Sequence, residues 1–93
     1  MVYVPAALRQ FAAGQRRVCL DVDEPATVGQ VLECLHGPCP GVVERCLDET
    51  WIPRQHVNIF VDGQSIRVGS CQGLDTPVHD GTEIWLLPAV SGG

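Results

Sequence analysis

Only one stretch of this chain carries a clear helical period, and it is short. Val28, Val31, Leu32 and Leu35 recur at i, i+3, i+4 and i+7, which makes one stripe apolar and leaves the rest polar. Thr27 stands just before the stripe and Gln30 three residues after it, the reciprocal pair of a capping box. Gly37 and Pro38 supply the stop. A helix with one apolar stripe must lay it against another apolar face, so the flanking segments have to provide a sheet.

Those flanks read as strands. Val2 and Val4 alternate with other residues at the start, and Val18, Leu20 and Val22 alternate around Cys19 and Asp21. The segment between them, Pro5 to Gln15, is too long for a tight hairpin, and Leu8 and Phe11 are its expected anchors to the core. After the helix, Gly41 to Leu47 has a weaker helical period. Val57, Ile59 and Val61 then alternate with Asn58 and Phe60. Asp62-Gly63 separates them from Ile66 and Val68, a strong two-residue hairpin pattern because both turn positions favour positive φ. Asp80-Gly81 marks another turn before a last strand over Thr82 to Leu87. The order is strand, strand, helix, strand, strand, strand, with no repeat and no linker. That predicts one α+β domain over 1–93, with a flexible tail over 88–93.

Size and charge narrow the function. A chain of 93 residues buries little more than about 60% of its unfolded surface, enough for one modest core and too little for a nucleotide-binding lobe as well. The net charge of −5 opposes nucleic-acid and anionic-membrane binding. All six basic residues are arginine, so no lysine is present to complete a phosphate-binding loop. The first residues lack the charged start and apolar run of a secretory signal, and no stretch approaches a membrane span. The five cysteines, an odd number, fit a reducing cytoplasm better than a disulfide framework.

Cys34, His36, Cys39 and Cys46 cluster near the helix end. Cys34 and Cys39 are five apart, however, and no second knuckle accompanies them, so the expectation is small buried hydrophobes and no metal. His36 sits where a cation complements the helix dipole. Nothing singles out any of the cysteines as a nucleophile.

The last residues suggest chemistry. Pro88-Ala89-Val90-Ser91-Gly92-Gly93 follows the final strand, and from Pro88 onward these residues reach about 20 Å when extended. Gly92 and Gly93 have no side chains to obstruct a narrow channel. A carboxylate is a poor electrophile, since it is anionic and has no leaving group. Joining it to AMP removes both obstacles, and a thin stalk carries it into another protein's active site. By alternation, Phe60, Trp85 and Leu87 point away from the helix and form an exposed apolar face, the usual mark of docking. The competing reading has Pro5–Gln15 or Gly37–His56 folding over that face.

The closing stretch from Asp80 to Gly93, with its Trp85-Leu86-Leu87-Pro88 and Gly92-Gly93, resembles the ending of the MoaD/ThiS sulfur carriers, above all their CysO-like members. Val57 to Gly63 is similar to the family's central hairpin, and Val4-Pro5-Ala6-Ala7-Leu8-Arg9 with Phe11 to its opening. The resemblance implies a β-grasp, or ubiquitin-like, fold: a mixed sheet with the first and last strands side by side at its centre and one main helix packed across it. It implies a carrier, not an enzyme. An E1-like enzyme of the MoeB/ThiF kind would use ATP to adenylate Gly93, a sulfur donor would make the thiocarboxylate, and a synthase would accept the sulfur. Pro88, Ala89, Val90, Ser91 and Gly92 would be the threaded tail, and Phe60, Trp85 and Leu87 would meet partners. The chain itself would bind no cofactor. Cysteine, a specialised metabolite, molybdopterin and thiamine are the pathways such carriers serve. The alternative is a ubiquitin-like modifier joined through Gly93 to target amines.

Overall fold

The computed structural model describes residues 1–67 and 73–88. Helix α1 runs over Val28–His36 and buries Val28, Val31, Leu32 and Leu35, the four residues of the sequence stripe. Its capping box is complete. The Thr27 Oγ1 accepts from the Gln30 N–H at 3.3 Å, and the Gln30 Oε1 accepts from the Thr27 N–H at 2.9 Å. Two donors that a helix start leaves unpaired are thereby satisfied. At the far end Gly37 is right-handed (φ −59°, ψ −64°), so the helix does not close on a left-handed glycine. The chain turns instead, with the Cys39 N–H donating to the Leu35 carbonyl at 2.9 Å, and enters α2 at Pro40. Helix α2 spans Pro40–Cys46, one residue earlier than its weak period indicated, because proline suits the first helical position.

The strands are β1 (Val2–Tyr3), β2 (Arg17–Val18), β3 (Ala26–Thr27), β4 (Val57–Val61), β5 (Gln64–Ser65), β6 (Pro77–Val78) and β7 (Ile84–Pro88). Five of them form a sheet in the order β2-β1-β7-β4-β5. β7 occupies the centre, parallel to β1 and antiparallel to β4. First and last strands adjacent, in a mixed sheet with α1 across it, define the β-grasp. A second small ladder pairs β3 with β6.

The core lies between the sheet and the helices: Val2, Val57, Ile59, Ile84 and Leu86 from the strands meet Val28, Leu32, Leu35 and Val42. At the β4–β5 turn, Asp62 and Gly63 both have positive φ (48° and 88°), as their sequence pattern indicated. Strand β2 is shorter than expected. Leu20 and Val22 leave the ladder and only pack against the core edge. The last strand starts later than expected, because Thr82 closes a turn with its N–H to the His79 carbonyl at 3.0 Å. β7 continues through Pro88, opposite Val57, since a proline is tolerated at a strand end. Val68 and Cys71 lie outside the described residues.

The long connections bury their apolar residues on the helix side, while Pro5 and Arg9 of the first also reach the rim of the outer face. Residues Ala6–Ala12 form a 3₁₀ helix that buries Leu8 and Ala12. Phe11 packs against Gly41 of α2 and carries the Arg45 guanidinium 3.6 Å above its ring. Among the described residues, no helix is long and apolar enough to cross a membrane.

Candidate functional site

The candidate site is the outer face of the sheet at the end of β7. Because opposed residues of paired strands share a face, one row can be followed across the whole sheet. Arg17 opposes Tyr3, Tyr3 opposes Trp85, Trp85 opposes Phe60, and Phe60 opposes Ser65. Asn58 and Leu87 form the next pair towards the C-terminal end of β7. Phe60, Trp85 and Leu87 are thus together on the face away from α1, as alternation indicated. Trp85 is 39% and Leu87 41% exposed, and Phe60 is half-buried. No described segment folds over them.

Tyr3 is a member of this face that the sequence reading passed over. Its ring stacks on Trp85 with centroids 4.0 Å apart and planes 4° from parallel. The alternation of Val2, Tyr3 and Val4 already placed it outward. Its hydroxyl donates to the Glu83 carboxylate at 3.3 Å, at the edge remote from the tail.

A cleft borders the aromatic row. Tyr3, Pro5, Arg9, Arg16, Arg17, Trp85 and Leu87 line it, and among the described residues no acidic side chain does. The Val4 N–H donates to the Arg16 carbonyl at 2.7 Å, which holds the loop before β2 against the end of β1. Since β1 and β7 are parallel, this is the end from which the chain leaves towards 89–93. Ala89, Val90, Ser91, Gly92 and Gly93 lie outside the described residues; Pro88 is paired in the ladder.

Among the described residues, no cysteine or histidine lines the cleft beside this face. Cys39 and Cys46 are buried, while Cys19 and Cys34 are exposed. Burial pushes the Cys46 thiol up to about 11, against a smaller opposing pull from Arg54, so it is a poor nucleophile at neutral pH. His36 ends α1 with its Nε2 3.9 Å from the Glu44 carboxylate. Among the described residues, no three side chains of His, Cys, Asp or Glu gather as a metal site.

The ThiS family model matches residues 2–93. This chain belongs to the ThiS family. Among its ThiS-family relatives, the sulfur carrier protein CysO of Mycobacterium tuberculosis is 35% identical over 94 aligned residues, covering 99% of this chain and 96% of the relative. Small archaeal modifier protein 1 of Haloferax volcanii is 35% identical over 81 residues, covering 87% of this chain and 86% of the relative. The fold agrees. The Amycolatopsis orientalis BexX/CysO complex superposes with a TM-score of 0.85 at 28% identity, over 99% of this chain and 97% of that one. The modifier from H. volcanii gives 0.81 at 33% identity, over 99% and 96%. This ThiS-family chain is therefore similar both to sulfur carriers and to ubiquitin-like modifiers, and these relatives are small carrier and modifier proteins.

Proposed function

We propose that this chain is a sulfur carrier whose working group is the carboxylate of Gly93. An E1-like partner of the MoeB/ThiF kind binds ATP and joins AMP to that carboxylate, with loss of pyrophosphate. A sulfur nucleophile then displaces AMP, and the resulting thiocarboxylate gives its sulfur to an accepting synthase. The chain takes part as co-substrate, in the cytoplasm, and the nucleotide stays with the partner. The observation that carries this reading is the placement of β7. The central strand brings the chain out beside an exposed Trp85 and Leu87, and residues 89–93 follow directly, ending on two glycines. A partner that grips this face holds the start of the stalk in register with its own active site. The full-length similarity to the sulfur carrier protein CysO supports the same reading.

Similarity to small archaeal modifier protein 1 supports a second reading, attachment of Gly93 to target amines. An adenylated glycine accepts amines as well as sulfur. The test is intact mass after incubation with the cognate activating enzyme, ATP and sulfur donor. A sulfur-for-oxygen exchange at the C-terminus is expected for a carrier. Branched adducts on other proteins of the host that carry this chain's C-terminal peptide, joined through Gly93, without that exchange, would overturn the carrier in favour of the modifier.

A further inference from the structure

The six arginines fall into two groups. Three serve the fold: Arg45 lies over Phe11 and donates to the Gly41 carbonyl, Arg54 donates to the Glu44 carbonyl, and Arg67 donates to the Gln55 and Arg54 carbonyls. The other three, Arg9, Arg16 and Arg17, line one and the same cleft beside Trp85 and Leu87. Arg16 and Arg17 are exposed, and Arg9 is oriented by its Nε donating to the Val4 carbonyl at 3.2 Å. None of the three is ion-paired among the described residues. In a chain of net charge −5, half of the positive charge is thus concentrated at the foot of the tail, with Arg16 and Arg17 left uncommitted among the described residues.

We propose that this cleft receives an acidic segment of the activating partner, its carboxylates paired with Arg9, Arg16 and Arg17 and an intervening apolar side chain resting on Trp85 and Leu87. The charge pattern argues for this occupant. Guanidinium forks match carboxylates two bonds at a time, and the aromatic row beside them supplies the apolar floor. Outside the cleft the remaining three arginines stand against eleven acidic residues, so an acidic partner is disfavoured on balance over the rest of the surface. That asymmetry selects the one docking orientation in which the tail points into the partner. The partner's identity rests on the carrier reading; the acidic chemistry rests on the cleft alone.

Two measurements test it separately. In the first, the Arg16→Gln, Arg17→Gln double variant is activated by the cognate adenylating enzyme, Arg9 being kept because it holds the Val4 carbonyl. KM for the carrier is expected to rise about tenfold or more, with a flatter dependence on salt. kcat is expected to stay within about twofold, as for lost uniform binding. A native KM with native salt dependence overturns the proposal. In the second, the isotope-labelled chain is titrated with a capped peptide of alternating glutamate and leucine, and with a lysine–leucine counterpart. Shifts of the Trp85 indole and the Arg16 and Arg17 resonances with the acidic peptide only, lost in the double variant, are expected. Equal response to both peptides overturns the proposal. So does acidic-peptide binding that tightens about tenfold when the chain is cut after Pro88, since the cleft would then belong to the chain's own carboxylate. If the native chain is not adenylated at all, the carrier reading and the partner named here fail together, and the peptide titration still decides what the cleft binds.

Discussion

Trp85 lies flat on Tyr3, ring centroids 4.0 Å apart, and so the first and last strands of the sheet are joined by an outward stack as well as by their ladder. The stack fixes one orientation of a large, 39% exposed indole at the place where the chain heads for its last residues. A tryptophan free to rotate would present a different shape to each encounter. Held on Tyr3, it presents one.

Leu87 contributes area to this face and little to the core, being 41% exposed. Leu87→Ala is expected to weaken partner binding by about 1–3 kcal/mol. Its cost in unfolding free energy should stay below about 1 kcal/mol. Calorimetric titration with the activating enzyme, beside urea denaturation, separates the two. A large loss of stability with unchanged binding would place Leu87 in the core.

The terminal carboxylate is tested by length. Deleting Gly93, or adding one residue after it, is expected to abolish loading while thermal unfolding is unchanged. One residue displaces the reacting group by about 3.5 Å, far outside an attack distance. Gly92→Val should fold normally and load poorly. Intact-mass analysis of each variant decides; efficient loading of an untrimmed, extended chain would remove Gly93 from the mechanism.

Gly41 has no room for a side chain. A Cβ there would approach Phe11 Cδ1 to 2.7 Å and its Cβ to 3.0 Å, and Phe11 has Arg45 over its ring. Gly41→Ala is therefore expected to destabilise by about 1–3 kcal/mol from overpacking, in spite of alanine's helix propensity. Phe11→Leu in the same background should restore part of the loss in a denaturation series.

Cys46 makes stability depend on alkaline pH. Its folded pKa, raised to about 11 from 9.0, means that the unfolded chain loses its proton first as pH rises. The thiol's contribution is whole below 9.0 and disappears as pH climbs towards 11. Two units correspond to about 2–3 kcal/mol. Urea midpoints across this range should fall in the native chain, and fall less in Cys46→Val. In native buffer at neutral pH, alkylation should reach Cys19 and Cys34 and spare Cys46.

Much of the fold was legible in the sequence because its main elements obey local rules. The Thr27–Gln30 capping box, the four-residue stripe of α1 and the Asp62-Gly63 turn are each complete within a few residues. The two-residue strands β3 and β6 are too short to have a period, so nothing local announced their pairing. Leu20 and Val22 alternate correctly and still miss the ladder, because alternation reports burial of one side and not a hydrogen-bonded neighbour. The outward set of Phe60, Trp85 and Leu87 followed from alternation alone, whereas the arginine cleft draws on Arg9, Arg16, Arg17 and Trp85, segments far apart in the chain. Only the parallel pairing of β1 with β7 brings them to one place.

That pairing also imposes an order of events. Val2 opposes Ile84 across a parallel ladder, so the sheet cannot close until nearly the whole chain is available. During synthesis the first strand waits, unpaired on that side, while some eighty residues are added. Contacts this distant form late. The outward row from Arg17 to Ser65 exists only once they have formed, so a complete but misfolded chain can carry the same last residues and yet lack the surface beside them. On the proposed carrier function, a partner that reads that surface would check the fold before committing ATP.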